Sequence, residues 1–417
     1  MSYSLATLPE DYLFSLALSM TIQEVSSICQ SNKRINQLIC QNDYFWRQKF
    51  YHDYSKFDYQ GNWKTLYYNF LNVWSFGNND DYQLGLGNRI NQNSPTLIQN
   101  LKAKQISASY NSVILIDLNN NVQVFGYNGY GISLGKLGIG GFSIVHEPYI
   151  LPSLKAKQVV AGISSSAVID LDNNVWVFGQ GGQLGLGDNN NRIIPTLLPQ
   201  VKALQIAIGL SHTVFIDLNN NLWGFGYNKH GQLGLSDVMN ADRPIIIPGV
   251  KAKQVATGNN HTLIIDLNDN VWAFGSNYVG QLGLGDNIDR KVPTQIPSIK
   301  AKYISGGGYY TLIIDLDNNV WGCGDNEYGQ LGLGDNNNKL QLTPIINLKA
   351  RQVTAGVTHT AIIDLEYNVL TCGNNSNGEL GLGDNLARNS PTLIPNFKAL
   401  QVAAGINHTV MIASNIM

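Results

Sequence analysis

A phrase of five residues occurs seven times along this chain of 417 residues, and its spacing is nearly constant. It reads VWSFG at Val73, and successive copies start 49, 53, 47, 49, 49 and 49 residues apart. A fixed period of this size is typical of repeat architectures, in which each unit buries its apolar face against its neighbours. Length alone suggests two or three domains, but the period indicates one array over 73–417. The later copies begin at Val122, Val175, Leu222, Val271, Val320 and Val369.

Each unit contains four short apolar runs, which are clearest between residues 271 and 319. We name the run after Lys-Ala-Lys strand A, the HTLIIDL type strand B, the VWAFG type strand C and the PTQIP type strand D. The runs are rich in β-branched and aromatic residues, and Gly, Asn, Asp and Pro separate them, which favours strands and turns over helices. Four short strands per unit of about 50 residues predict a propeller blade.

The array begins and ends in the middle of a unit. Residues 73–98 supply only strands C and D, whereas residues 399–413 supply only strands A and B. We therefore expect one blade to combine both ends, which closes the ring and removes exposed sheet edges. The predicted fold is mainly β, a seven-bladed propeller of four-stranded blades closed by its N- and C-terminal strands.

Residues 1–50 follow a different pattern and predict a small helical domain, joined to the propeller by a connector over 51–72. Capping-box sequences begin at Thr7 and Thr21, and Pro9 is compatible with a first helical turn. Apolar residues at helical spacing follow each capping box.

The helical segment resembles an F-box, whose pattern is a Leu-Pro pair, aliphatic residues at helical spacing and a terminal Trp. The resemblance implies docking to a Skp-type adaptor and a cullin ubiquitin ligase, with the propeller recruiting an unknown target protein. One departure is that Asn32-Lys33-Arg34 stands where many F-boxes carry a Trp after a Cys-Lys pair. The Asn-rich composition is similar to that of such proteins in giant DNA viruses of amoebae. The residues assigned to the adaptor are Leu8, Pro9, Leu13, Leu16, Val25, Ile28 and Trp46.

The repeats resemble those of the regulator of chromosome condensation family. Two motifs carry this resemblance: Asn-x-x-Gly-Gln-Leu-Gly-Leu-Gly-Asp, clearest at 277–286 and 326–335, and Gly-x-x-His-Thr. Kelch propellers have a similar repeat length but require a Gly-Gly doublet in every blade, which these units lack. The second motif occurs at Gly209/His212, Gly258/His261, Gly356/His359 and Gly405/His408.

The family implies two further functions that compete with a ubiquitin ligase receptor. Its founding member is a guanine-nucleotide exchange factor for a Ran-like GTPase, which uses a wedge-like insertion and a basic tail that this chain lacks. A plant UV-B photoreceptor shares the fold, but its Trp-bearing loop reads Asn259-Asn260 here. Protein binding without enzymatic activity is the main prediction, and regulation of a Ran-like GTPase is the alternative.

The four histidines and the repeated glycines raise the question of a catalytic or metal-binding site, which their spacing along the chain disfavours. Zinc needs several neighbouring ligands, whereas the blade symmetry separates these imidazoles, and Ser112, Ser165 and Tyr310 replace them in the other units. We expect structural roles, with the imidazole satisfying a loop backbone group and the glycines adopting positive φ. The Trp residues of strand C, Cys323 and Cys372 are expected in the packing of the blades. We predict no catalytic residue, metal or cofactor.

Charge and cysteine content indicate the compartment and the partners. With 27 basic and 29 acidic residues, the chain lacks the electrostatic signature of a nucleic-acid binder. It shows no membrane-spanning stretch or secretory signal, and its four cysteines are too few for a disulfide scaffold, so we expect an intracellular protein.

Two faces of the propeller differ in charge and variability. The Lys-Ala-Lys phrases, before strand A, should share one face with the acidic turns between strands B and C, and we expect the two to neutralise each other. The loops between strands C and D lie on the opposite, mildly acidic face and differ most between units, so we expect that face to select the partner.

Overall fold

The computed structural model describes residue 5 and residues 8–53, 62–129, 135–236 and 238–415. Residues 54–61 of the predicted connector, and two stretches of the loops between strands C and D, lie outside the described residues. The helices are α1 (Glu10–Ser19), α2 (Ile22–Ser31), α3 (Lys33–Ile35), α4 (Asp43–Asp53) and α5 (Trp63–Asn69), with a π-helical turn over Asn36–Cys40 between α3 and α4.

Twenty-one strands follow, three for each repeat, in the part of the chain that the structure describes. They are β1 Asn72–Gly77, β2 Gln92–Ser109, β3 Ser112–Asp117, β4 Asn121–Tyr127, β5 Ile144–Ala161, β6 Ser165–Asp170, β7 Asn174–Gly179, β8 Arg192–Ile208, β9 His212–Asp217, β10 Asn221–Tyr227, β11 Asn240–Thr257, β12 His261–Asp266, β13 Asn270–Gly275, β14 Arg290–Gly306, β15 Tyr310–Asp315, β16 Asn319–Gly324, β17 Lys339–Ala355, β18 His359–Asp364, β19 Asn368–Gly373, β20 Arg388–Ala404 and β21 His408–Asn415.

The predicted strands D and A form one long bent strand, which corrects the prediction of four separate strands per blade. In β2, the first half pairs with β1 (Trp74↔Leu97) and the second half pairs with β3 (Ala103↔Asp117). Each long strand is therefore the outer strand of one blade and the inner strand of the next. The bend carries a residue in the left-handed region in every unit, such as Asn100 (φ 59°) and Gly249 (φ 87°). A residue in this region changes the direction of the chain, and β pairing resumes after it.

The ring closes through both ends of the array, as the sequence predicts. Strand β1 pairs antiparallel with β21, placing Val73 opposite Ile412 and Gly77 opposite His408. The closing blade thus takes its two inner strands from the C-terminal end of the array and its two outer strands from the N-terminal end. Because the first and last strands of the array pair with each other, the ring leaves fewer sheet edges that could pair with another chain.

The glycine-rich loops join each blade to the next one. In every unit a loop N–H donates to a carbonyl on the long strand of the following blade, for example Gly285 N to Leu340 O at 2.9 Å and Gly334 N to Asn389 O at 2.8 Å. The last loop reaches the first long strand, since Gly383 N donates to Asn93 O at 2.8 Å. Gly285 and Gly334 have φ of 86° and 82°, so the expectation of positive φ for these glycines is confirmed.

The helical segment packs against the closing blade and shares its hydrophobic core. Phe45, Trp46 and Phe50 of α4 belong to one continuous cluster with Val369 of β19 and Met411 of β21. The Phe70 ring meets the Tyr367 ring edge-on, with 6.2 Å between the centroids. The helices therefore lie over the face that carries the Lys-Ala-Lys bends and the B–C turns, which we call the lysine face; the opposite face, with the C–D loops, is the loop face.

Cys29 and Cys40 form a disulfide that ties α2 to the π-helical turn, with 6.1 Å between their Cα atoms. The cysteine count predicts no disulfide scaffold, and this one local pair results from the packing of α2 against the π-helical turn. Cys323 and Cys372 are fully buried and free, as expected for core positions. None of the described helices has the length and apolar character that a membrane span requires.

Candidate functional site

The predicted adaptor residues divide into a buried group and an accessible group. Leu13, Val25 and Trp46 have no exposed surface, and they belong to the core shared with the propeller. Trp46 also donates its indole N–H to Cys40 O at 3.1 Å. Leu8, Leu16 and Ile28 are half-buried and Pro9 is exposed. Only the second group can contact a partner without opening the core.

The repeated histidines connect neighbouring blades. His212 Nε2 lies 3.0 Å from Thr262 Oγ1, and His261 Nε2 lies 3.1 Å from Thr311 Oγ1. Each threonine is the one that follows the His position in the next blade. Its hydroxyl donates to a loop carbonyl, as Thr262 does to Gln232 O at 2.6 Å, so the imidazole N–H donates to the hydroxyl oxygen. The imidazole thus reaches the loop backbone through a threonine hydroxyl, whereas the Tyr310 hydroxyl at the same repeat position donates directly to the backbone at His359 O.

The glycine of each Gly-x-x-His motif makes room for the ring. A Cβ atom on Gly258 would lie 2.1 Å from His261 Cε1 and 2.4 Å from Gly307 O. A Cβ atom on Gly209 would lie 2.2 Å from the ring of His212, and one on Gly405 would lie 2.2 Å from the ring of His408. On Gly356, the distance to the ring of His359 would be 2.9 Å. The requirement for glycine here is close packing and not a positive φ.

Burial keeps these imidazoles neutral. It lowers the pKa of His261 and His359 to about 4, and that of His212 and His408 to about 3, with a neighbouring histidine adding to the effect at the last two. The described residues contain no group of three His, Cys, Asp or Glu side chains that could hold a metal ion. Among the described residues, His212, His261 and His359 each make a side-chain hydrogen bond to a threonine of the next blade, which is a link between blades.

The lysines of the lysine face make most of their direct hydrogen bonds to uncharged groups, while turn carboxylates act electrostatically on Lys104 and Lys398. That the charges of this face neutralise one another stays a prediction. From the second phrase onward, the first lysine donates to the preceding B–C turn, as Lys251 does to Asn219 O and Lys300 to Asn268 O, at 3.2 and 2.9 Å. The second basic residue reaches the tip of the following B–C turn, as Lys104 does in donating to Asn120. Lys253 and Asp269 form an ion pair on this face.

The aspartates of this face are saturated by their own turns. Asp266 accepts hydrogen bonds from Asn268 N at 2.8 Å, from Asn270 N at 2.9 Å and from the Trp272 indole N–H at 3.0 Å. Burial would raise the pKa of Asp266, but the hydrogen bonds from Asn270, Trp272 and Asn268 outweigh it and hold the pKa below its ordinary value. Four of the five strand C tryptophans therefore anchor the turns, a role that the sequence pattern did not reveal, whereas Trp74 donates to Ala413 O.

The loop face presents large apolar side chains at one repeated position. Beyond the glycines that join the blades, each C–D loop ends in a tip whose side chain points away from the core. At four tips this residue is large, apolar and exposed: Ile90 (65%), Met239 (60%), Ile288 (63%) and Leu386 (65%). Exposed apolar residues that recur on a rigid framework are typical of a protein-binding surface.

A closed ring of seven blades, each built from the same repeated unit, defines the class of β-propellers. The sequence profile of the regulator of chromosome condensation (RCC1) repeat matches residues 72–116, 172–216, 219–265, 268–314, 317–363 and 368–412. A second profile of the same repeat matches 204–232, 252–281 and 301–330. The chain belongs to the RCC1 repeat family.

Solved structures of this family share the fold at low sequence identity. Human WBSCR16 is 20% identical with a TM-score of 0.74, and the match covers 83% of this chain and 99% of that one. Prp20p from Saccharomyces cerevisiae, described with its binding properties to Gsp1p and histones, is 19% identical with a TM-score of 0.75, over 83% and 92% of the two chains. Yeast RCC1 (Prp20) bound to Kap60 gives 20% identity and a TM-score of 0.73, over 82% and 88%.

Proposed function

We propose that this chain is an intracellular, non-catalytic propeller that binds a small GTPase of the Ran type through its loop face and regulates nucleotide exchange on it. The proposal is supported by the RCC1 repeats and by the shared fold of Prp20p, a protein described with its binding to Gsp1p. The four exposed apolar side chains at the loop tips are the observation that carries the assignment to this face.

The physical basis is a rigid apolar surface that needs no ordering when a partner docks. Seven backbone hydrogen bonds join the loops to neighbouring blades, so the tips are held before binding. Four of them expose Ile90, Met239, Ile288 and Leu386 to solvent. Burying such side chains in an interface contributes about 1.5–3 kcal/mol each before the costs of association. A GTPase that covers two or more tips gains enough free energy to bind. This chain accelerates exchange when it binds the nucleotide-free conformation of the GTPase more tightly than the nucleotide-bound one.

The test places charge on two of the four apolar tips, which are separated by one repeat. We expect the double variant Ile288→Glu/Leu386→Glu to weaken binding to a Ran-type GTPase at least tenfold and to slow the release of fluorescently labelled GDP from it. The matched control is Ile346→Glu, because Ile346 is 81% exposed but lies beside the bend at Asn347, at the lysine-face end of its blade. Equal binding and equal GDP release by the wild type and the double variant would remove the loop face from the proposal. No stimulation of GDP release by the wild type would remove exchange activity.

The second candidate is an F-box function of the helical segment, in which it docks a Skp-type adaptor of a cullin ubiquitin ligase while the propeller recruits the target. The accessible Pro9 and the half-buried Leu8, Leu16 and Ile28 favour it, because they leave apolar surface uncovered beside α1 and α2. Leu13, Val25 and Trp46 would serve only the internal packing of the segment.

A pull-down with a Skp-type adaptor tests this candidate. We expect the wild type to retain the adaptor and Leu8→Ala/Pro9→Ala to lose it, whereas Leu13→Ala would act only by loosening the helices. Circular dichroism of each variant separates a lost contact from lost folding. Absence of the adaptor from every lane would refute docking and leave the GTPase proposal intact, since the two use opposite faces.

A further inference from the structure

The structure has a cavity of about 820 Å³ between the helical segment and the centre of the lysine face. Asp53 and Leu71 border it on the helical side, and the inner strands of several blades border it on the propeller side. Its volume is in the range of small-molecule sites, about 300–1,000 Å³. Because it lies where the strands of the ring converge, one ligand there can touch several blades at once.

Three cations from different repeats line this cavity: Lys104, Lys157 and Arg351. They occupy the second basic position of the Lys-Ala-Lys phrase. Lys104 donates to Asn120 Oδ1 and Lys157 to Asn173 Oδ1, while the Arg351 guanidinium lies 3.7 Å from the centre of the Tyr367 ring. Among the described residues, none of the three forms a direct ion pair with a carboxylate, although Asp117 acts electrostatically on Lys104.

The carboxylates near the cavity already have hydrogen-bond partners within the protein. Asp53 is the single acidic residue among the described lining residues, and both of its oxygens accept from Lys49 Nζ, at 3.0 and 2.8 Å. Tyr67 OH and the His52 ring also contact it. Asp117 is the carboxylate that acts electrostatically on Lys104. It accepts hydrogen bonds from Asn119 N, Asn121 N, Asn121 Nδ2 and Gln123 Nε2. Hydrogen bonds from neutral donors leave the negative charge of Asp117 in place beside Lys104. The described lining residues, three cations and Asp53, carry a net charge of +2.

We propose that this cavity binds a compact polyphosphate, a small molecule with two or more clustered phosphate groups. Ammonium groups and a guanidinium fork that converge from separate blades suit phosphate oxygens, and the fork offers paired N–H donors to one phosphate. Lys104, Lys157 and Arg351 are exposed and so can turn from their neutral partners to the ligand. Leu204 and Leu400 stand at the equivalent position in two repeats, so the fold does not require a cation there.

Three probes distinguish the source of the phosphates: tripolyphosphate, ATP and inositol hexakisphosphate, titrated calorimetrically into the full chain. We expect each to bind more tightly than sulfate at equal ionic strength, and the tightest of them to indicate whether a nucleoside or an inositol carries the groups. Binding no tighter than sulfate would overturn the proposal. So would binding of duplex DNA in the absence of any binding of tripolyphosphate, which would mean a surface for long polyanions.

The site is tested with two triple variants of equal charge. Lys104→Gln/Lys157→Gln/Arg351→Gln removes the cavity cations, and we expect it to weaken tripolyphosphate binding about 100-fold. Lys251→Gln/Lys300→Gln/Lys349→Gln removes three cations of the same face that do not line the cavity, and we expect a change of less than about threefold. Equal losses in the two variants would overturn the assignment. If the first triple fails to fold, Lys157→Leu alone, which copies Leu204, replaces it with an expected loss of about tenfold.

Discussion

Val113 of the first repeat occupies, relative to His408 of the last, the sequence position at which the other histidines meet a threonine hydroxyl. Within the described residues neither nitrogen of His408 has a hydrogen-bond partner, although the side chain is fully buried. The series of blade-to-blade links that runs from His212 to Thr409 thus stops at the point where the ring closes. The serines of the following two blades, Ser112 and Ser165, also lack partners for their hydroxyl groups.

Val113→Thr should restore the missing link and stabilise the protein. The new hydroxyl would accept from His408 and donate to Gln83 O, as Thr262 does between His212 and Gln232 O. We expect the free energy of unfolding to rise by about 1 kcal/mol, because a buried unpaired group gains its hydrogen bond. Urea unfolding measures the change. Val271→Thr, in a fully buried apolar site, is the control and should destabilise the protein; a fall in stability for both variants would contradict the inferred link.

The buried histidines predict loss of stability in acid. Their folded pKa values of about 3 to 4 lie below the ordinary value of 6.5, so between these limits the unfolded chain binds more protons than the folded one. The free energy of unfolding therefore has its full value above pH 6.5 and decreases as the pH falls towards 4. At pH 5 each histidine costs about 2 kcal/mol, from about 1.4 kcal/mol per pH unit.

Replacing a histidine by tyrosine should weaken this pH dependence. Tyr310 stands at the same repeat position, and its hydroxyl lies 3.0 Å from Thr360 Oγ1, so the chain already uses this solution. We expect His261→Tyr to keep the link to Thr311 and to lose less stability than the wild type between pH 7.5 and pH 5. Denaturation at both pH values checks this, with His230→Tyr on the surface as the control. An unchanged difference would mean that other groups cause the acid sensitivity.

Gly258→Ala should be strongly destabilising. The added methyl group would overlap His261 and the carbonyl of Gly307 in the next blade, and the backbone oxygen has no room to move. We expect a loss of about 3 kcal/mol or more in the free energy of unfolding, in the range of severe overpacking. Gly249→Asn is the control, because Gly249 has open space around it and Asn100, Asn347 and Asn396 share its position and backbone conformation. Similar losses for both would show that glycine content, and not the His contact, matters.

The Cys29–Cys40 disulfide should stabilise the helical segment. It closes a loop with a sequence separation of 11, which corresponds to roughly 2–3 kcal/mol of restricted unfolded-chain entropy. We expect Cys29→Ala/Cys40→Ala, or reduction of the wild type, to lower the midpoint of helix unfolding followed at 222 nm. Cys323→Ala/Cys372→Ala under reducing conditions provides a comparison in the propeller core. If a reductant leaves the helical signal unchanged, the bond adds no stability in solution.

The sequence alone determined the number of blades, their phase and the closure of the ring, because the repeated phrases and turn residues are local signals that recur with one period. It did not determine that strands D and A are continuous, since a residue of positive φ such as Asn100 can end a strand or bend it. The partners of His261, Asp266 and Lys104 come from other strands or other blades, and spacing within one unit does not identify them. Only the tertiary structure brings Lys104, Lys157 and Arg351 to one cavity, because their proximity depends on the radius of the closed ring and on where the helices cover it.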